Sequence, residues 1–279
     1  MVPHNSGPRA ATRSLPESLI RILEARHHDP FEVLGKHRDG EEDVVRAFLP
    51  HSRGVRIVET GAELARTEDT DLFVWRGAPG SVPDRYQLAW TDRDGIEWSG
   101  YDPYCFPQQL GDLDLHLFGE GRHLHAYRFL GAHLCDTDGI SGVRFAVWAP
   151  GAERISVVGD WNHWDGRFHP MRTRGNSGVW ELFIPGVSAH AYYKYEIRNR
   201  EHGSIHLNTD PDGQAFELRP GTASDIQRPG SHSWNDRRWM VSRAEHSWLQ
   251  APMSVYEVHL GSWQRDERGQ FLNYRQLAE

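Results

Sequence analysis

The chain has 279 residues, about two domains at roughly 150 residues each. Its 31 basic and 39 acidic residues leave a net charge of −8, which argues against nucleic acid or an anionic membrane as partner, since both select positive surface. Hydrophobic residues make up 38%, enough for a packed core, and no run of about 18 apolar residues offers a membrane span.

Residues 1–13 read as a disordered N-terminus without the apolar stretch of a secretion signal, so the expected compartment is the cytoplasm. Residues 14–28 read as a helix. Ser14 and Glu17 form a capping box, Pro16 suits a first turn, and Leu15, Leu19, Ile22 and Leu23 share one face. The segment HHDPFEVLGKH (27–37) breaks that helix. Short alternating runs follow at 44–50, 55–59, 71–77, 86–90 and 95–100, separated by Gly, Pro and Asp turns, which predicts a β-sandwich over 14–118. RHLHAYRFLG (122–131) reads as a helix closed by Gly131, a linker over 119–134. The β pattern restarts at 142–150, 154–161, 178–185 and 192–197, a second sandwich over 135–228. Residues 229–252 form a linker, and MSVYEVHLGSW (253–263) is a buried-strand pattern followed by helical turns from Asn273.

The two sandwiches carry an internal repeat. At an offset of 100, Phe48, Pro50, Val55, Ile57 and Val58 align with Trp148, Pro150, Ile155, Val157 and Val158. Further on, Tyr86 aligns with Tyr193 and Asp102-Pro103 with Asp210-Pro211. The whole chain therefore reads as mainly β: two tandem immunoglobulin-like sandwiches with short helices, then one further strand.

HHDPFEVLGKH, GDLDLHLFGEG (111–121), GVRFAVWAPGAERISVVGDWNHWDGRFHPM (142–171) and SVYEVHLGSW (254–263) resemble, in this order, the bacterial 1,4-α-glucan (glycogen) branching enzymes. The resemblance runs from about residue 19 onward. It implies an N-terminal sandwich, a carbohydrate-binding module of the isoamylase N-terminal type, and then an α-amylase-like (β/α)₈ barrel whose first strand YEVHLGSW would be. A barrel needs about 250 residues, and no position here matches the family's catalytic carboxylates. Retaining glycosyl transfer needs two carboxyl groups about 5–5.5 Å apart; Asp112 with Asp114, and the run Glu41, Glu42, Asp43, read as solvated faces. No catalytic residue is assigned.

The implied ligand is α-glucan, such as glycogen or a maltooligosaccharide. In the resembling modules the turn GDWNHWDG (159–166) presents an aromatic platform. Trp164 would stack on a glucose ring and Asn162 would bond its hydroxyls, with Trp161 packing inward. The alternative is that both tryptophans brace the loop. Strand alternation puts Tyr192, Lys194 and Glu196 on one face and Tyr193, Tyr195 and Ile197 on the other. Lys194 matches the family's sugar-side lysine, though a solvated strand lysine has the same pattern. Thr222 and Ser224 in GTASD match the final binding strand. A second platform tryptophan expected before Asp210 is replaced by Ile205 and Leu207.

The two cysteines, Cys105 and Cys135, allow one disulfide at most, and a chain of this length needs none. Seventeen histidines fall in no zinc spacing, Gly119-Glu120-Gly121 is too short for a dinucleotide fingerprint, and no cofactor or metal is expected. The function expected is that of the N-terminal part of a branching enzyme limited to glucan binding, with a separately encoded catalytic barrel as a candidate partner. A stand-alone glucan-binding module is the alternative, as is the equivalent part of a debranching enzyme or maltooligosyl-trehalose hydrolase.

Overall fold

In the computed structural model, which describes residues 15–228, 230 and 233–279, the chain divides into two units, residues 1–230 and 231–279. The expected tail 1–13 and the Ser14 cap lie outside the described residues. Helix α1 (Glu17–Leu23) follows Pro16 with no side-chain cap, and buries Ile22 against Val33, Leu34, Phe48 and Leu72.

Seven strands follow: β1 (Gly35–Asp39), β2 (Glu42–Phe48), β3 (Gly54–Ile57), β4 (Glu63–Arg66), β5 (Leu72–Gly77), β6 (Gln87–Thr91) and β7 (Glu97–Tyr101). They form one antiparallel ladder in the order β1-β2-β5-β4-β3-β6-β7. The ladder folds over on itself through β4, which pairs with both β5 and β3. Alternation then turns Val45 and Phe73 of one half toward Val55, Ile57 and Leu88 of the other. The polar strands β1 and β4 were not anticipated, because neither has the apolar alternation that marks a half-buried strand.

Helix α2 (Asp112–Gly119) precedes the connection to the second sandwich, and the expected linker helix over 119–134 is only a 3₁₀ turn at Ala126–Arg128. Asp112 and Asp114 suit the first turn of α2, whereas 122–131 buries the adjacent Phe129 and Leu130 and leaves Leu124 exposed, so no continuous apolar helix face forms there. Gly131 opens a strand instead of closing a helix. Its φ is +94°, and a Cβ there would lie 3.0 Å from the Asp212 carbonyl oxygen.

The second sandwich contains β8 (Gly131–Thr137), β9 (Ile140–Trp148), β10 (Ala152–Gly159), β11 (Arg172–Thr173), β12 (Val179–Pro185), β13 (Tyr192–Asn199), β14 (Ile205–Asn208), β15 (Ala215–Phe216) and β16 (Ser224–Asp225). One sheet runs β11-β12-β9-β8. The other runs β10-β13-β16-β15, with β14 on β13. Phe145, Leu182 and Ile184 meet Ile155, Val157, Tyr193 and Tyr195 in the core between them. The mainly β, two-sandwich architecture is the one expected.

The sequence repeat has a physical basis. The buried Tyr86 donates its hydroxyl to Asp102 at 2.5 Å, and Asp102 accepts from the Tyr104 amide at 3.0 Å. The buried Tyr193 donates to Asp210 at 2.5 Å, and Asp210 accepts from the Asp212 amide at 2.8 Å. In each copy a buried tyrosine, just before β6 or within β13, anchors the Asp-Pro turn sixteen or seventeen residues later. Burial pushes both carboxyls up, Asp102 to about 6, against the pull of the tyrosine and amide hydrogen bonds.

The sandwiches are joined through Glu181. Its neighbours on β12, Trp180 and Leu182, enter the core, so alternation turns Glu181 to the opposite face. It is nonetheless 0% exposed, covered by the connection between the sandwiches. Its carboxylate accepts from the Leu110 amide at 2.9 Å and from Gln109, and pairs with Arg174 at 3.0 Å and Arg172 at 3.3 Å. Arg172 also donates to the carbonyls of Phe106 and Pro107, and its guanidinium lies 3.5 Å from the ring centroid of Phe31. Phe106 packs edge-on against Phe183 at 4.8 Å.

The second unit contains α3 (Arg237–Glu245), one helical turn α4 (Leu260–Trp263) and α5 (Tyr274–Ala278). The helical turns expected from Asn273 are present as α5, which Asn273 and Gln276 cap reciprocally. The expected strand over 254–260 is not formed. A strand needs a hydrogen-bonding neighbour, and none of the described residues pairs with this segment. No helix among the described residues is long and apolar enough to cross a membrane.

Two outcomes follow from these contacts. Glu181→Ala should cost about 3–5 kcal/mol, because it strands Arg172 and Arg174 without their counter-charge; urea denaturation measures it. The raised pKa of Asp102 means that the folded state holds its proton more tightly than the unfolded chain. Stability through this group is therefore gained as pH falls from about 7 to 4, by about 2–3 kcal/mol. Thermal melts across that range should show the parent gaining on Asp102→Asn as the pH drops.

Candidate functional site

Strand β10 ends at Gly159, and the chain turns through a 3₁₀ segment at Asp160–Asn162. A Cβ on Gly159 would lie 2.5 Å from the Trp161 ring and 2.6 Å from the Tyr192 carbonyl, so only glycine admits this close approach. His163 and Trp164 then take left-handed φ values of +56° and +59°. Two successive non-glycine residues there store strain of order 1–3 kcal/mol each, which persists only where the surroundings enforce it.

Asn162 enforces it. The side chain is 1% exposed; its oxygen accepts from the Gly159 amide at 2.9 Å, and its amide donates to the Val157 carbonyl at 2.9 Å and to His169 Nδ1 at 2.8 Å. Burial pushes His169 down to about 4, so its ring is neutral and accepts. This corrects the expectation that Asn162 meets sugar hydroxyls: both amide donors and the oxygen are spent inside the protein, because the turn needs them there.

Trp164 is half-buried and donates its indole N–H to Asp160 at 2.7 Å, which fixes the ring's orientation. Trp161 packs inward against the second core, its ring 6.0 Å from Phe145, as expected. Its buried indole N–H has no partner among the described residues.

Lys194 pairs in register with Val158, one residue before the turn, and alternation keeps it opposite to the buried Tyr193 and Tyr195. It donates to the exposed Thr222 hydroxyl at 2.6 Å. Ser224 is not part of this surface. It is fully buried and accepts from the Asp210 amide at 3.0 Å, because its pairing with Tyr193 turns it into the core. The register of β14 sets Leu207 opposite Glu196, on the Lys194 face, and Leu207 is 52% exposed. Lys194 and Thr222 are thus in contact, Trp164 follows the end of β10 whose Gly159 pairs with Tyr193 beside Lys194, and Trp161, Asn162 and Ser224 act as supports. Sequence reasoning missed Asp160, which orients the platform, although an acid four residues before the tryptophan was a readable signal.

Residues 15–104 match the model of the N-terminal domain of alpha-1,4-glucan branching enzyme GlgB, and residues 129–213 match carbohydrate-binding module 48, the isoamylase N-terminal domain. The 1,4-alpha-glucan branching enzyme GlgB of Nitrosococcus oceani is 54% identical over 272 residues, 97% of this chain and 36% of that protein. The enzyme of the same description from Methylococcus capsulatus is 55% identical over 258 residues, 92% of this chain and 35% of that protein. The chain corresponds to the N-terminal portion of the 1,4-alpha-glucan branching enzymes GlgB. It spans about a third of the length of these curated relatives. Among solved structures, a type I pullulanase from Bacillus subtilis, complexed with maltose, matches 72% of the chain and 27% of its own length at 18% identity and TM-score 0.31.

Asp112 and Asp114 lie on the first turn of α2, Asp112 fully exposed and Asp114 bonded to His123 at 2.9 Å. Among the described residues no group of three or more His, Cys, Asp or Glu is set to hold a metal ion.

The division between platform and support is testable. Trp161→Ala should cost about 3–5 kcal/mol of stability as a truncation in the core. Trp164→Ala should cost under about 1.5 kcal/mol, the scale of its single hydrogen bond. Parallel denaturation curves compare the two, and equal losses would make both tryptophans braces.

Proposed function

We propose that the second sandwich binds α-glucan, glycogen or a maltooligosaccharide, at the surface formed by Trp164, Lys194 and Thr222. The observation that carries this reading is the strained pair His163–Trp164, held open by a fully buried asparagine while Asp160 orients the indole. The flat indole face suits the apolar face of a glucose ring, and the Lys194–Thr222 pair offers polar atoms beside it. One indole and no second aromatic at Ile205 or Leu207 imply weak binding, near the ~1 mM that corresponds to about −4.1 kcal/mol.

In the whole protein this module would present glucan to a barrel that transfers α-1,4 chains to α-1,6 positions, in the cytoplasm where glycogen is built. The carboxylates for that step lie outside this chain's matched positions, whether the barrel continues the same polypeptide or is encoded separately. A stand-alone binding module makes the same prediction for the present residues.

Affinity electrophoresis in glycogen gels tests the reading. The parent chain should be retarded. Trp164→Ala should lose most of that retardation, a weakening of roughly 1–3 kcal/mol by analogy with ring stacking on bases, while circular dichroism stays unchanged. Lys194→Met should weaken it less. Undiminished retardation of folded Trp164→Ala would move the site elsewhere.

A further inference from the structure

A cavity of about 730 Å³ opens between the two sandwiches, within the roughly 300–1,000 Å³ of small-ligand sites. One wall is the β6–β7 hairpin. Trp90 and Trp98 lie directly opposite each other across it, so their indoles share one face. Trp98 is 43% exposed, and its indole N–H is held by Asp92 at 2.8 Å. Asp92 in turn accepts from the Asp94 and Ile96 amides, both at 2.9 Å, so the ring is set in place by a backbone-anchored carboxylate. The other wall is the 159–169 turn, with Trp161, His163 and Phe168; the His163 ring stands edge-on 6.2 Å from Trp98.

We propose that this cleft is a second carbohydrate site, taking a short α-glucan segment between the two sandwiches. The inference rests on the reading that the chain binds α-glucan, and adds a site at different residues. Asp92, Asp94 and Asp165 line the cleft with Arg93; the Asp92 carboxylate is bonded to the Trp98 indole and Asp165 is paired with Arg167. Carboxylates accept hydrogen bonds from neutral hydroxyls, and paired indoles stack on the C–H faces of sugar rings. His51 of the first sandwich accepts from Arg167 at 2.8 Å, and Arg167 is bound to Asp165, so the cleft is bridged at its rim by polar groups and not sealed by an apolar contact. Trp164 does not line the cleft, whereas its neighbour His163 does. The strained turn therefore serves two surfaces, one with each residue.

Gly100 supplies a clean way to block the cleft. It lies two residues from Trp98, on the same strand face and opposite Leu88. A Cβ there meets nothing within 4 Å. Maltoheptaose is titrated into the 279-residue chain while the indole N–H signals are followed by NMR. Trp98 should shift both in the parent and in Trp164→Ala. In Gly100→Leu the Trp98 shift should need at least about tenfold more sugar, with the Trp164 signal still responding as in the parent. A Trp98 signal that stays still while Trp164 moves overturns the cleft and leaves the first site standing. A Trp98 shift that disappears in Trp164→Ala is a signal relayed through His163, and also overturns it. Movement of Trp98 alone supports the cleft and removes the Trp164 site, and no movement of either signal overturns both. An equal Trp98 shift with cellohexaose overturns the α-linked assignment.

Discussion

The buried carboxylate of Glu181 is the constraint on which the arrangement of the first unit depends. A charge taken out of water costs several kcal/mol unless other groups replace its hydration. Here two guanidiniums and two backbone amides replace it, and the amides belong to residues 109–110, between the two sandwiches. The same Arg172 holds the carbonyls of Phe106 and Pro107 and covers Phe31. Satisfying one charge on β12 therefore sets the path of the connection, the seat of the N-terminal segment and the spacing of the two sandwiches. The cleft between them follows from that spacing.

The turn after β10 repeats the principle at smaller scale. Asn162 uses its donors and acceptor on Val157, His169 and Gly159, and thereby holds two residues in a conformation that they would not adopt alone. The polar residue that looked suited to a ligand serves the backbone, and the strain that it sustains presents Trp164. Support and contact are adjacent in sequence and opposite in role. A pattern of residue types cannot separate them, because an asparagine suits a sugar hydroxyl and a buried amide equally well.

The Tyr–Asp anchors explain why the duplication was readable. Each ties a core tyrosine to a distant turn through a buried hydroxyl and carboxylate, and each carboxyl is pushed up by the burial that the anchor requires. Substituting either partner leaves a polar atom unpaired inside a sandwich, so the two stay together while the surrounding strands drift in length. The offset between copies changes, but the tyrosine and its Asp-Pro turn survive as landmarks.

The sequence by itself determined the two tandem sandwiches, the inward and outward faces of β13, the inward Trp161, the helical turns from Asn273 and the repeat. All of these follow from local alternation, turn chemistry or residue pairs at fixed separation. Tertiary structure decided the rest. Strands β1 and β4 exist because neighbours supply their hydrogen bonds, whereas the apolar run 254–260 has no such neighbour among the described residues and forms no strand. Asn162 and Ser224 left the candidate surface because buried backbone groups needed their polar atoms, and the Trp90–Trp98 wall faces a cleft only because the second sandwich packs beside it. Alternation tells which side of a strand is apolar. What covers that side is decided by packing between segments far apart in the chain.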